Sequence, residues 1–222
     1  MREQFDRLRC LCDFLEKAIS KEAKRRRANA QRRYNKAKSE EERGFISVGI
    51  DDSLFEIGRD FPRVVRYSLF VSMMSMTEAS LVRLCRVAHF NLKLGKAFDA
   101  KGKDVIQRAL EYLKVEAGLD ISRMAYDKQL ASDLRCLRNA IVHSEGCIKG
   151  RNNDEAAIRS FVKQRVGARI DKRNNIVMSK RFVMNNAHGM SRLIAMLFDK
   201  LRKKLDADTT TRLSPLQRLE IW

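Results

Sequence analysis

A mainly α-helical bundle with a small β-hairpin before its last helix is the fold this sequence predicts. Only two prolines and ten glycines punctuate 222 residues, which disfavours sandwiches and barrels made of many short strands and turns. Apolar residues recur at three- and four-residue spacing through most of the chain, the period of an amphipathic helix. One stretch breaks that period: Val166, Ile170, Ile176, Val177 and Val183 flank an Asn174-Asn175 turn, the pattern of a hairpin. With 44% hydrophobic residues a core is available, and the length suits one sizeable domain plus an appendage.

Taken in order, the first 43 residues contain neither proline nor glycine and read as a helix, with Phe5, Leu8, Leu11, Cys12 and Leu15 as its apolar stripe. The stripe stops at Ile19, and nine Lys/Arg against one Glu follow over residues 21–38. Lys24, Arg25, Arg26, Arg27, Arg32 and Arg33 are the candidate RNA contacts in this run; a solvated helix face is the alternative reading. Residues 1–44 are therefore set apart as a basic helical arm, and 45–206 as the main helical domain. The stretch 44–60, with Gly49, Asp51, Asp52 and Gly58, reads as a connector holding a short turn or helix near 54–57. From 63 to about 89 follows a strongly apolar helix, the central buried one, in which Glu78 is the only acid. A shorter helix over 105–117 stops at Gly118. Another begins at about 122 or 128, runs to His143 and is closed by Ser144-Glu145-Gly146. Residues 147–175 are polar and charged, the hairpin strands are expected near 167–171 and 176–183, and the last helix over 185–205. Residues 207–222 read as a polar tail ending in Leu219, Ile221 and Trp222.

The formal charge is +18 and the sequence pI near 10.1, so acidic partners are favoured whatever the fold. The charge is uneven: residues 1–44 carry +6, 45–150 only +3, and 151–222 +9. No stretch approaches the ~20 apolar residues of a membrane helix, which points to a soluble, cytoplasmic protein with no membrane partner. Cys10, Cys12, Cys85, Cys136 and Cys147 are odd in number and match no zinc or disulfide framework; reduced, mostly buried thiols are expected.

Phosphate-cradling glycine loops are missing, as are GxSxG and HExxH, which removes several hydrolase classes. The three histidines, His89, His143 and His188, lie in separate segments, so no multi-histidine metal centre and no cofactor is expected; carboxylate-bound Mg²⁺ is the reading left open. The informative stretch is 133–146. Leu130, Leu134, Leu137 and Ile141 form a core stripe at i, i+4, i+7 and i+11. Arg138 lies at its edge, and Asn139 and His143 lie opposite, as i, i+4 neighbours whose amide and imidazole can hydrogen-bond. Arg138 and His143, five residues apart, are about 140° around the helix. One chain does not stack them; a second copy of the helix crossing the first brings two of each into one cleft.

Arg138-Asn139-Ala140-Ile141-Val142-His143 resembles the RNxxxH form of the Rx4–6H motif of the HEPN superfamily of ribonucleases. The resemblance covers about residues 45–205. It implies a small helical domain, usually a homodimer, whose motif helices meet across a two-fold axis to cut RNA without metal, often as a toxin or an anti-phage defence effector. Glu78, in an apolar helix upstream, stands where many relatives carry an acid. Burial of Glu78 calls for a cationic partner such as Arg138 or Arg135, and a role in organising the catalytic site with Arg138, Asn139 and His143 is the alternative reading.

The chemistry suits these side chains independently of the family. RNA carries its own nucleophile, the 2′-OH. A base removes its proton, the 2′ oxygen attacks the adjacent phosphorus, and an acid protonates the departing 5′ oxygen, leaving a 2′,3′-cyclic phosphate and a 5′-OH. An imidazole can serve either proton transfer near neutral pH. A guanidinium stabilises charge on the non-bridging oxygens. Two rival readings remain. One is a non-catalytic helical module binding RNA through its basic flanks; the other is an effector held silent by a regulatory protein or antitoxin.

Overall fold

The computed structural model describes residues 2–150 and 152–209. They form α1 (Arg2–Lys36), α2 (Glu40–Phe55), α3 (Phe61–Asn91), α4 (Val105–Val115), α5 (Ala125–Ser144), α6 (Asn152–Lys163), β1 (Ala168–Ile170), β2 (Ile176–Met178) and α7 (Lys180–Thr209). The fold is mainly α, with an antiparallel hairpin before the last helix. Of the expected tail, 207–209 belong to α7 and 210–222 lie outside the described residues.

Helix α3 is the central element, packing against α1, α4, α5 and α7. Pro62 stands in its first turn, where the missing N–H costs no helical hydrogen bond. Leu69, Phe70, Met73, Met74, Leu81, Leu84, Cys85 and Ala88 are all buried along it. Full burial of such a side chain contributes ~1.5–3 kcal/mol, so this helix holds much of the core's apolar stabilisation.

The expected arm divides in two. Phe5, Leu8 and Cys12 belong to the same core as α3, and α1 packs on α3 and α7. Two ion pairs fasten it there. Arg66 donates through Nε and Nη2 to Glu16 at 2.6 and 2.9 Å, and Lys180 pairs with Asp13. Beyond Ile19 the helix continues as the basic run, mostly exposed.

The stretch expected as a connector is helical. Ser39 caps α2, its Oγ accepting from the Glu42 N–H at 3.1 Å, and three glutamates fill the first turn, where the helix dipole favours them. No side chain or neighbouring backbone approaches within 4 Å of a Cβ built on Gly44, Gly49 or Gly58. Those glycines therefore cost helix propensity, ~1 kcal/mol each, without marking a turn. A single π-helical turn, Glu56–Asp60, then carries α2 directly into α3.

Helix α5 is fixed at both ends. Near its start, Arg192 of α7 donates to the buried Asp127 at 2.5 Å. At its close Glu145 and Gly146 adopt positive φ, 49° and 85°, and the Gly146 N–H donates to the Ala140 carbonyl at 3.0 Å. A Cβ on Gly146 would lie 2.2 Å from Tyr67 Oη. That hydroxyl donates to the Ile176 carbonyl, tying α3 to the hairpin.

Within 147–175 the chain forms α6, where no helix was expected; Ile158, Phe161 and Val162 are its buried face. The hairpin strands are shorter than expected, with Ala168, Arg169 and Ile170 opposite Met178, Val177 and Ile176. Helix α7 starts at Lys180, five residues before the expected 185, because Ser179 caps it by accepting from the Phe182 N–H at 3.2 Å. All five cysteines are free thiols. Cys12 and Cys85 are buried, Cys136 and Cys147 half-buried and Cys10 exposed, so burial is less general than expected. Among the described residues no helix is long and apolar enough to cross a membrane.

Candidate active site

The core stripe read from the sequence sorts α5 into two faces. Leu134 and Leu137 are 0% exposed, and Leu130 and Ile141 are buried with them. Arg138 and Asn139 are half-buried at the border, and His143 is exposed in the last turn. Val142, 48% exposed, lies between the amide and the imidazole along the chain and leaves an apolar surface beside them.

Arg138 Nη1 donates to Asn139 Oδ1 at 3.1 Å, so the two side chains form one unit. The expected Asn139 to His143 hydrogen bond is not formed among the described residues. The imidazole, one turn further on, lies at the exposed helix end. Arg138 Nε is buried without a partner, as are the Nε atoms of Arg9, Arg108 and Arg165. A polar group so placed is costly unless a further partner arrives.

Glu78 is half-buried on α3, which packs against α5. It forms no ion pair with Arg138 or Arg135 among the described residues, contrary to expectation; Arg135 pairs instead with Asp104. Partial exposure removes the need for such a partner, because water reaches the carboxylate. The geometry brings Arg138 and Asn139 together, leaves His143 at the helix end, and places Glu78 on the neighbouring helix.

The basic run lies on the second half of α1. Lys24, Arg25, Arg27, Arg32 and Arg33 are exposed and Arg26 is half-buried. Glu22 engages Arg25 at 2.7 and 2.8 Å and Arg26 at 3.1 Å; hydrogen bonds from Arg25 and then Arg26 hold its carboxyl below the ordinary range. A groove of about 370 Å³ between α1 and α2 is lined by Arg26, Asn29, Arg33, Phe45, Ile46 and Leu54, among others. Phe45 is 75% exposed. Sequence reading missed this aromatic next to the arginines because it treated 44–60 as a connector; the Ser39-Glu40-Glu41-Glu42 cap was the signal that α2 exists.

No three His, Cys, Asp or Glu side chains converge as metal ligands among the described residues. The chain matches no protein-family model, no curated protein and no solved structure.

Proposed function

We propose that the protein is a metal-independent endoribonuclease of HEPN type, acting as a homodimer in which Arg138, Asn139 and His143 of two copies line one cleft. The observation that carries the reading is the sorting of α5. A fully buried leucine stripe fixes the helix, while the hydrogen-bonded Arg138–Asn139 unit and the exposed His143 stand on its accessible side. In one chain the guanidinium and imidazole diverge by about 140°. A second copy covering Val142 brings the missing pair.

In that cleft His143 transfers a proton: it removes the 2′-OH proton or protonates the 5′ oxygen as the P–O5′ bond breaks, the second copy serving the other step. Such transfers contribute ~10²–10⁴ in rate. Arg138 neutralises charge on the non-bridging oxygens, and Asn139 holds the guanidinium in place. Specificity for RNA follows from the nucleophile, since DNA has no 2′-OH. The basic flanks concentrate substrate around a centre that is itself nearly neutral. A role as a toxin or defence effector, restrained by a regulatory protein, is consistent with such an activity. The test is RNA cleavage by the full chain with chelator present. Wild-type cutting should persist and His143→Ala should lose at least ~10²-fold; normal cutting by His143→Ala, or abolition by chelator, refutes the mechanism.

The non-catalytic reading draws on a different observation, the groove between α1 and α2. It predicts RNA binding that depends on Arg26 and Arg33 and ignores Arg138.

A further inference from the structure

A second gathering of guanidinium groups lies apart from the Arg138 motif and from the basic run of α1. Where the π-helical turn, the start of α3 and the hairpin meet, a cleft of about 370 Å³ is lined by Arg59, Arg63, Arg66, Tyr67, Arg169 and Asp171, among others. That volume falls within the ~300–1,000 Å³ of small-ligand sites. The lining sets four arginines against one carboxylate.

Two of the five charged groups are already committed. Arg66 spends its donors on Glu16 and, through Nη1 at 3.1 Å, on the Met178 carbonyl; it is the buttress of the cleft wall. Asp171 turns its oxygens into the hairpin loop, where it accepts from the N–H groups of Arg173 at 2.8 Å and Asn175 at 2.9 Å. It organises the turn and leaves one negative charge facing Arg59.

Three guanidiniums remain. That of Arg59 lies 4.8 Å from the centre of the Phe55 ring and makes no side-chain hydrogen bond or ion pair among the described residues. Arg63 comes only within 3.8 Å of Asp60, beyond hydrogen-bonding distance. Arg169, exposed on β1, makes no side-chain hydrogen bond or ion pair among the described residues. Like charges drawn together with only Asp60 and Asp171 to offset them repel one another, and a bound polyanion reduces that cost. Guanidinium forks match the oxygens of a phosphate bidentately, and several of them suit a ligand with more than one phosphate.

We infer that this cleft binds phosphate groups through Arg59, Arg63 and Arg169, either those of a free oligophosphate or successive phosphodiesters of a single nucleic-acid strand. Tyr67, in the cleft wall, rests against Gly146, three residues beyond His143, so the cleft adjoins the end of α5. The assignment concerns binding and does not rest on the cleavage reading.

Titration calorimetry of the full chain at about 0.15 M salt tests it with two probes: inorganic tripolyphosphate and a single-stranded 2′-O-methyl oligoribonucleotide, which cannot be cut by its own 2′ oxygen. Arg59→Gln/Arg169→Gln should weaken binding at least about tenfold. The charge-matched Arg202→Gln/Lys203→Gln, on exposed positions of α7, should change it less than about threefold. All four side chains are exposed, so melting temperatures should stay within about 2 °C of wild type. A loss seen with tripolyphosphate assigns the cleft to free oligophosphates; a loss confined to the oligonucleotide assigns it to strand phosphates. Binding of neither probe by wild type, unchanged binding by the cleft variant, or an equal loss in the α7 control overturns the inference.

Discussion

Replacing Gly146 by alanine tests how the end of α5 is held, and the structure sets the size of the effect. Gly146 has φ 85°, where an alanine costs ~1–2 kcal/mol. Its Cβ would sit 2.2 Å from Tyr67 Oη and 2.7 and 2.8 Å from ring carbons Cζ and Cε2. These distances are far inside the ~3.5–4.0 Å of ordinary contact. Tyr67 escapes only by giving up its hydrogen bond to the Ile176 carbonyl, ~1 kcal/mol, or by pushing the hairpin away, an overpacking cost of ~1–3 kcal/mol. The total is about 2–5 kcal/mol. At ~2–4 °C per kcal/mol for a chain of this size, the melting temperature followed by circular dichroism should fall by about 4–20 °C. Tyr67→Phe in the same chain removes the closest atom but not the two ring carbons. The double variant should therefore be more stable than the sum of the single losses by about 1 kcal/mol. A Gly146→Ala protein that melts within about 2 °C of wild type refutes this account of the cap.

Further predictions concern binding and pH. If the groove between α1 and α2 tracks RNA phosphates, Arg26→Gln/Arg33→Gln should reduce the slope of log K against log salt by about 1.4. Phe45→Ala should weaken binding by ~1–3 kcal/mol with the slope unchanged; an unaltered slope in the arginine variant removes the groove from the interface. Burial pushes both the Cys85 thiol and the Tyr67 phenol up to about 12. The folded chain thus keeps protons that the unfolded chain releases from about pH 9 for the thiol and about pH 10 for the phenol. The stability these groups contribute is complete below that range and is lost as pH rises towards 12, Cys85 accounting for up to about 4 kcal/mol. Urea unfolding at pH 8 and 10.5 should show the decline, and Cys85→Ala should flatten it; an identical decline in the variant contradicts the assignment.

What could be read in the sequence was mostly what one helix decides alone. Leu130, Leu134, Leu137 and Ile141 share a face by period, and all four are buried. The Asn174-Asn175 turn announced the hairpin, and Asn174 indeed takes a positive φ of 62°. Helix α2 was hidden because Gly44, Gly49 and Gly58 look like punctuation when nothing in the sequence shows that they face open space. Helix α6 was hidden by its charge, although Ile158, Phe161 and Val162 carry the i, i+3, i+4 spacing. Side-chain partners were the least legible feature. Arg135 finds Asp104 from 31 residues away, and Arg138 takes the amide of Asn139. The cleft of Arg59, Arg63 and Arg169 depends on the hairpin folding back on the start of α3, which no local pattern encodes.

The proposed chemistry has His143 move a proton in the cleavage of RNA by its own 2′ oxygen. The most direct measurement is the chemistry of the 3′ ends produced when RNA is incubated with wild-type and His143→Ala protein. Wild type should yield 2′,3′-cyclic phosphates paired with 5′-OH ends, and the variant should lose both. Ends bearing a 3′-OH and a 5′-phosphate, or cyclic phosphates that persist undiminished in His143→Ala, would contradict that chemistry.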